Sequence, residues 1–303
     1  MRFRTLQVLI LVLVLTMSAA YAKEGGDQYA YGAESWFTGA LPPPGTYFIN
    51  YFGFYAATLR DGSGNKVNLG GSTPSVDAVF DALRIVEVTK YKILGASWGM
   101  HITAPLVEQS VDMGGRASEA NIGDIDVDPF ILGWHGKKWH IAAGPDMWLP
   151  TGHYDKNDAR VSIGTNYVTF QPVVAVTLLP AKGWETSAKF MFDLNTKNDA
   201  TDYHSGDEFH FDYVAGKHIG PWSVGVCGYL VEQLEDDTVN GQTVAAVPGF
   251  WDTGRKGQAF AAGPSVAYST KKHMEFSFQY QHEMAVRNRF GGDKLWFKMI
   301  IPL

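Results

Sequence analysis

The sequence predicts an all-β chain, an antiparallel up-and-down transmembrane β-barrel of about twelve strands behind a short N-terminal segment. Three observations predict it. Many segments alternate apolar and polar residues with period two, at close to the length a tilted strand needs to cross a bilayer. The connections between them alternate short and long along the chain. The composition is rich in glycine (33 residues) and aromatics (14%), with 18% charged residues, and a mean hydropathy of -0.11 is too polar for a bundle of membrane helices.

The same composition narrows function. A chain that is 46% hydrophobic with little charge is not disordered, and a net charge of -6 without Lys/Arg blocks excludes nucleic acid as an expected partner. Cys227 is the single cysteine, so no internal disulfide forms, and no Cys/His cluster has zinc-ligand spacing. Neither a metal nor a cofactor is expected.

Residues 1–22 read as an export signal. Arg2 and Arg4 form a positive start, residues 6–15 are apolar except for Gln7, and Ala20 and Ala22 supply the small residues of a signal-peptidase site. Cleavage is expected after Ala22, and no later stretch is apolar for long enough to form a membrane helix. Residues 23–44 do not alternate. They carry Tyr29, Tyr31, Trp36 and Phe37 and end in Pro42, Pro43 and Pro44, which stiffen the chain as a spacer. This segment is expected either to fold into the lumen as a plug, its four aromatics contacting solute, or to hang in the periplasm.

Residues 45–303 hold the strands, expected at 45–60, 76–89, 93–109, 122–135, 138–149, 166–179, 184–195, 208–217, 222–233, 258–270, 273–284 and 294–303. In the seventh, Trp184, Thr186, Ala188, Phe190, Phe192 and Leu194 oppose Glu185, Ser187, Lys189 and Asp193. In the eleventh, Met274, Phe276, Phe278 and Tyr280 oppose Glu275, Ser277, Gln279, Gln281 and Glu283. Phe209, Phe211 and Tyr213 oppose His210 and Asp212, and Leu295, Phe297, Met299 and Ile301 share one side of the last strand. Expected short turns at 90–92, 136–137, 180–183, 218–221 and 271–272 alternate with long polar connections at 61–75, 110–121, 150–165, 196–207, 234–257 and 285–293. Outer-membrane barrels have this asymmetry of periplasmic turns and extracellular loops, whereas a secreted β-sandwich has no reason for it. Trp134, Trp139, Trp148, Trp184, Trp222, Trp251 and Trp296 lie near strand ends and are expected in the interfacial girdles.

Asp124, Asp126 and Asp128 alternate with Ile125 and Val127, so their carboxylates are expected on one, lumenal, side of a strand. Lys189, His210, Asp212, Glu275 and Gln279 are the other lumen candidates. The loop 199–208 concentrates oxygen groups but has no calcium-loop spacing. His204 and Ser205 are adjacent, and adjacent strand residues point apart, so they form no catalytic dyad as written. Cys227, between Gly225 and Gly228, reads as small packing.

Five stretches carry a family resemblance: Asn121-Ile122-Gly123-Asp124; Leu149-Pro150-Thr151-Gly152-His153-Tyr154-Asp155; the run from Thr201 to Phe209; Gly228-Tyr229 through Asp236-Asp237 to Asn240-Gly241; and Glu283 through Asn288-Arg289. Together they resemble the outer-membrane family of the meta-pathway of phenol degradation, which includes the sphingosine-response proteins. The resemblance implies a transmembrane β-barrel related to the fatty-acid and toluene channels, which pass hydrophobic molecules through a plugged barrel. Two departures stand out. The chain ends in Leu303 where outer-membrane barrels commonly end in an aromatic residue, and the related channels have more strands, so none of their binding residues carries over.

The expected function is a non-enzymatic Gram-negative outer-membrane channel for passive uptake of small hydrophobic, aromatic or lipid-like compounds feeding a degradation pathway. Expected partners are outer-membrane lipid, the solute, and the barrel-assembly machinery through the C-terminal strand. The alternatives are a barrel-housed lipid-modifying enzyme and a structural or adhesive barrel.

Overall fold

The computed structural model describes residues 27–303. The signal sequence, its cleavage after Ala22 and the first residues of the 23–44 segment lie outside the described residues.

The strands are β1 (Gly45–Leu59), β2 (Ser75–Ile93), β3 (Ala96–Asp112), β4 (Arg116–Ile122), β5 (Ile125–His135), β6 (Trp139–Leu149), β7 (Thr169–Leu178), β8 (Trp184–Asn195), β9 (Tyr203–His204), β10 (Glu208–Ile219), β11 (Trp222–Gln233), β12 (Thr238–Val239), β13 (Gln242–Thr243), β14 (Gln258–Ser269), β15 (Glu275–Arg287) and β16 (Phe290–Pro302). β1, β2, β3, β5, β6, β7, β8, β10, β11, β14, β15 and β16 form a closed antiparallel ring of twelve. β16 closes it on β1, from Tyr47↔Pro302 to Leu59↔Phe290. β4 pairs with the outer half of β3 as a thirteenth strand outside the ring, and β9, β12 and β13 form a small sheet in the connections.

Burial is inverted relative to a water-soluble sheet. Along β8, Glu185, Ser187, Lys189, Met191 and Asp193 are buried while Trp184, Phe190 and Leu194 are exposed. Along β15, Gln279 is 0% exposed and its neighbour Phe278 is 47% exposed. Polar groups turned inward and apolar groups outward cost free energy in water; the arrangement is favourable when hydrocarbon surrounds the ring. This inversion and the closed ring set the sandwich alternative aside.

At one rim the turns are tight. Leu94 (φ 50°) and Gly95 (φ 78°) connect β2 to β3, the pair of left-handed residues a two-residue hairpin of matching twist requires. The opposite rim carries the long connections, with two corrections to the expected lengths. Residues 110–121 are mostly strand, because β3 runs to Asp112 and β4 begins at Arg116. The two faces of this hairpin differ: Ser110 Oγ and Ser118 Oγ meet across one at 2.8 Å, while Val111 and Met113 on the other are buried against the connections. Residues 285–293 are not a long connection either: β15 and β16 are joined by Asn288 and Arg289, with Asn288 at φ 52°.

The tryptophans divide. Trp139, Trp184 and Trp222 are exposed on the outside of the short-turn rim, where they suit a membrane interface. Trp148, Trp251 and Trp296 are buried and do not belong to a girdle. Trp148 has the strand parity of inward Asp146, Trp296 that of inward Lys294 and Lys298, and Trp251 lies in the connection after β13.

Candidate functional site

Residues 27–44 contain no helix or long strand, so their backbone donors need partners from outside the segment. The inward side chains of the ring supply them. Asp212 of β10 accepts from Tyr29 Oη (2.7 Å), Gly32 N (2.8 Å) and Glu34 N (3.0 Å). Glu185 of β8 accepts from Phe37 N at 2.6 Å, and Thr177 of β7 from Gly39 N at 3.0 Å. Gln281 Nε2 of β15 donates to Gly32 O at 2.9 Å, Tyr31 Oη donates to Glu208 at 2.6 Å, and Trp36 Nε1 donates to Ser265 Oγ at 2.9 Å. The segment thus crosses the lumen, tied to strands on all sides. Gly32 (φ +85°) is required there, since a Cβ would lie 2.0 Å from Gln281 Oε1.

Glu34 sits at the centre. Its carboxylate accepts from Lys298 Nζ of β16 at 2.5 Å, Arg84 Nη1 of β2 at 3.1 Å and Tyr51 Oη of β1 at 2.7 Å. Burial alone would raise its pKa, but Lys298 and Arg84 outweigh that and hold the carboxyl well below the usual carboxylate range. The network continues along the wall, over the neighbouring strands β2, β3 and β5. Arg84 Nη2 is 2.6 Å from His101 Nδ1, and His101 Nε2 is 2.8 Å from Asp126 Oδ2. A guanidinium only donates, so His101 Nδ1 accepts and the ring proton sits on Nε2, facing Asp126. Lys189 Nζ reaches Asp146 Oδ2 at 3.3 Å. His101, Asp128 and Asp146 bring potential metal-ligand atoms within 4.8 Å of one another, but both His101 nitrogens are already engaged.

This charged layer lies between two cavities. The one toward the long-connection rim has a volume of about 320 Å³, and the one toward the short-turn rim about 550 Å³; Glu34, Arg84 and Lys189 line both. The outer cavity has an apolar wall from the ends of β1, β2 and β3, where Leu59, Val76, Val111 and Met113 cluster with Trp251. The inner cavity is bounded by Trp36, Phe37, Leu41, Val86 and Ile131, with Glu275 and Lys298 among them.

The sequence-predicted residues therefore separate. Tyr29 and Tyr31 face the outer cavity, and Trp36 and Phe37 the inner one. Asp126 lines the outer cavity and Asp128 the inner; Lys189 lines both. His210 lies against the rings of Tyr29 (5.0 Å) and Tyr31 (4.9 Å) and contacts Asp193 at 3.2 Å, so it supports the segment from behind. Gln279 is buried and accepts from Gln281, lining neither cavity. Asp124 is buried with the parity of Asp126 and Asp128 and lines the outer cavity, but it stands just before β5 and also organises a connection: it accepts from Gly152 N (2.9 Å), Thr165 N (2.9 Å) and Gln28 Nε2 (2.8 Å). Asp237 acts likewise, accepting from Tyr203 Oη (2.8 Å), Gly206 N (3.0 Å) and Gln233 Nε2 (2.7 Å). His204 Nε2 contacts Asn195 O, and Cys227 is buried beside Pro264 O and Gln281. Sequence reasoning missed Glu34, Arg84, His101, Asp146 and Lys298. For Lys298 the signal was present, as it alternates with outward Phe297 and Met299.

A closed twelve-strand ring with polar interior, apolar exterior and an internal segment is a β-barrel of the outer-membrane channel type. The chain belongs to the family described as "Putative MetA-pathway of phenol degradation", whose model matches residues 56–299. Among solved structures, an outer membrane channel from Pseudomonas putida F1 is similar at a TM-score of 0.71 and 14% identity, over 87% of this chain and 97% of that one. The translocator domain of the autotransporter NalP from Neisseria meningitidis follows at a TM-score of 0.48 and 9% identity, covering 88% and 91%. The CymD monoaromatic hydrocarbon channel has a TM-score of 0.43 and 7% identity, covering 93% and 96%. The first of these likenesses shows the fold. Comparison with curated protein sequences gave no match.

Proposed function

We propose that the protein is a non-enzymatic outer-membrane channel through which small apolar compounds, aromatic or lipid-like, enter the cell to be degraded. One observation carries this reading: the lumen wall at the long-connection rim is apolar. A water-filled pore gains nothing from Leu59, Val76, Val111 and Met113 turned inward, whereas an apolar solute leaving water gains about 25 cal/mol for each Å² it buries there. Membership in a phenol-degradation family fits the same reading.

In this account the long connections face the cell exterior and the solute lodges first in the outer cavity. Passage to the inner cavity, bounded by Trp36 and Phe37, requires the segment carrying Glu34 to shift. The four aromatics of 27–44 serve as contact surface, Tyr29 and Tyr31 above the charged layer and Trp36 and Phe37 below it. The N-terminal segment acts as a plug.

The test is entry of a labelled alkylphenol and a labelled sugar into vesicles carrying the refolded protein, against protein-free vesicles. Selective acceleration of the alkylphenol is expected. Equal acceleration of the sugar would replace this function with a general pore.

A further inference from the structure

The two rims handle charge differently. At the long-connection rim cations have acidic partners: Arg116 lies 3.2 Å from Asp77, Arg160 2.7 Å from Asp158, Lys256 3.6 Å from Asp236 and Arg289 2.5 Å from Asp27. At the other rim the short turns carry cations alone. Lys90 and Lys92 stand beside the β2–β3 turn, Lys137 and Lys138 lie in the β5–β6 turn, Lys182 in the β7–β8 turn, Lys217 beside the β10–β11 turn, and Lys271 and Lys272 in the β14–β15 turn. All of these lysines are exposed, and no Asp or Glu occurs in residues 90–95, 136–138, 179–183, 217–221 or 270–274. The acids that come within a few residues of them are turned elsewhere: Glu87 accepts from Thr46 Oγ1 at 2.5 Å, Glu185 is buried against His218 and Phe37 N, and Glu275 lines the inner cavity. Among the described residues, none of these lysines joins an ion pair.

Like charges gathered at one rim of a chain whose net charge is -6 repel one another, and the rim itself offers nothing to offset them. Two features place the offsetting charge in the membrane. The five turns are spread around the ring, so the charge encircles the barrel instead of forming the one-sided patch that a docked protein covers. Trp139, Trp184 and Trp222 stand outward at the same rim, where such rings sit at the level of lipid headgroups, and Lys217 Nζ lies 5.8 Å from the centre of the Trp184 ring. The flexible stem of a lysine lets its ammonium reach a phosphate at that level from any of the turns. We propose that the short-turn rim binds anionic glycerophospholipids through their headgroup phosphates. The inference needs only a barrel in a bilayer and goes beyond the channel reading, whatever the solute. With the long connections facing the cell exterior, the lipids are those of the periplasmic leaflet.

Electron spin resonance of spin-labelled phosphatidylglycerol and phosphatidylcholine, with the refolded full chain in phosphatidylcholine vesicles, tests this, because the motionally restricted fraction gives the relative affinity of each lipid for the barrel surface. A lysine near an anionic headgroup favours it about fivefold, and roughly half of the surrounding lipid meets this rim, so phosphatidylglycerol should be preferred about threefold. In about 1 M NaCl, where the screening length is about 3 Å, the preference should vanish. A variant carrying Lys90→Gln, Lys92→Gln, Lys137→Gln, Lys138→Gln, Lys271→Gln and Lys272→Gln alters only exposed side chains and should lose most of the preference, whereas Arg116→Gln with Lys256→Gln, at the opposite rim, should keep it. If the larger variant does not fold, Lys271→Gln with Lys272→Gln alone should show a smaller loss. Equal affinity of the two lipids for the wild type, a preference indifferent to salt, or a preference kept by the lysine variants overturns the proposal. Equal lipid affinity together with polyglutamate bound by the wild type, and not by the variant, would overturn it in favour of an acidic protein partner. Absence of selective alkylphenol entry would remove the channel and leave this site standing, so the two readings fail separately.

Discussion

Glu34 and Lys298 meet at 2.5 Å in the middle of the barrel, although 264 positions separate them. One comes from an irregular segment and the other from the strand that closes the ring. Lys298 and Arg84 from opposite flanks of β1 both point at this carboxylate, which makes Glu34 the electrostatic anchor of the segment.

Replacing Glu34 with Gln leaves two buried cations facing a neutral amide. Removing one partner of a buried pair typically costs about 3–5 kcal/mol, well above the typical 0–1 kcal/mol of a surface pair. The expected outcome is faster amide hydrogen exchange across residues 27–44, while the heat-resistant mobility of the folded barrel on gels is kept. Unchanged protection of the segment would show that the backbone bonds to Asp212, Glu185 and Thr177 suffice.

The same ion pair sets a pH dependence. The folded-state pKa of Glu34 lies below its ordinary value of 4.5, so its stabilisation is complete above that value and is lost as pH falls through the folded pKa. The charged groups facing it, Lys298 and Arg84 with Lys189 nearby, are cationic throughout this range. Protection of residues 27–44, corrected for intrinsic exchange rates, should therefore be flat from about pH 7 to 5 and decline only in stronger acid. A midpoint near pH 6 would assign control to another group.

Trp36 and Phe37 hold the inner half of the segment. Trp36 packs with Val214, Cys227 and Ala267, and Phe37 stacks on His218 with ring centres 5.0 Å apart. Truncating both to Ala removes contacts whose loss at a single buried aromatic costs about 3–5 kcal/mol. Because the ring of strands does not depend on them for pairing, assembly should be retained and alkylphenol flux into vesicles should change by several-fold. Unchanged flux would take these two residues out of the solute path.

Much of this architecture is legible in the chain, and the limits have physical causes. Parity along Trp184–Asn195 separates Glu185, Ser187, Lys189 and Asp193 from the outward aromatics, because a bilayer punishes any slip of register. The β3–β4 hairpin is not legible because β4, half-exposed along its whole length, carries only polar residues and small ones apart from Ile122. Trp148 and Trp296 were misplaced because proximity to a strand end says nothing about which face a ring takes. Glu34 is one acidic residue in an irregular stretch, and its meeting with Lys298, Arg84 and Tyr51 arises only on ring closure. The motif residues Asp124 and Asp237 proved to be organisers of the long connections, a role that spacing alone did not reveal.

The most direct measurement of the central claim changes the apolar wall and reads selectivity. Val76→Asp with Val111→Asp places two carboxylates on the outer cavity wall, and entry of labelled alkylphenol and sugar is compared in vesicles carrying equal amounts of folded wild-type or variant barrel. Alkylphenol entry should fall by about tenfold or more, since each buried apolar side chain is worth on the order of 1.5–3 kcal/mol, while sugar entry should not fall. Undiminished alkylphenol entry through the charged wall would contradict the central claim.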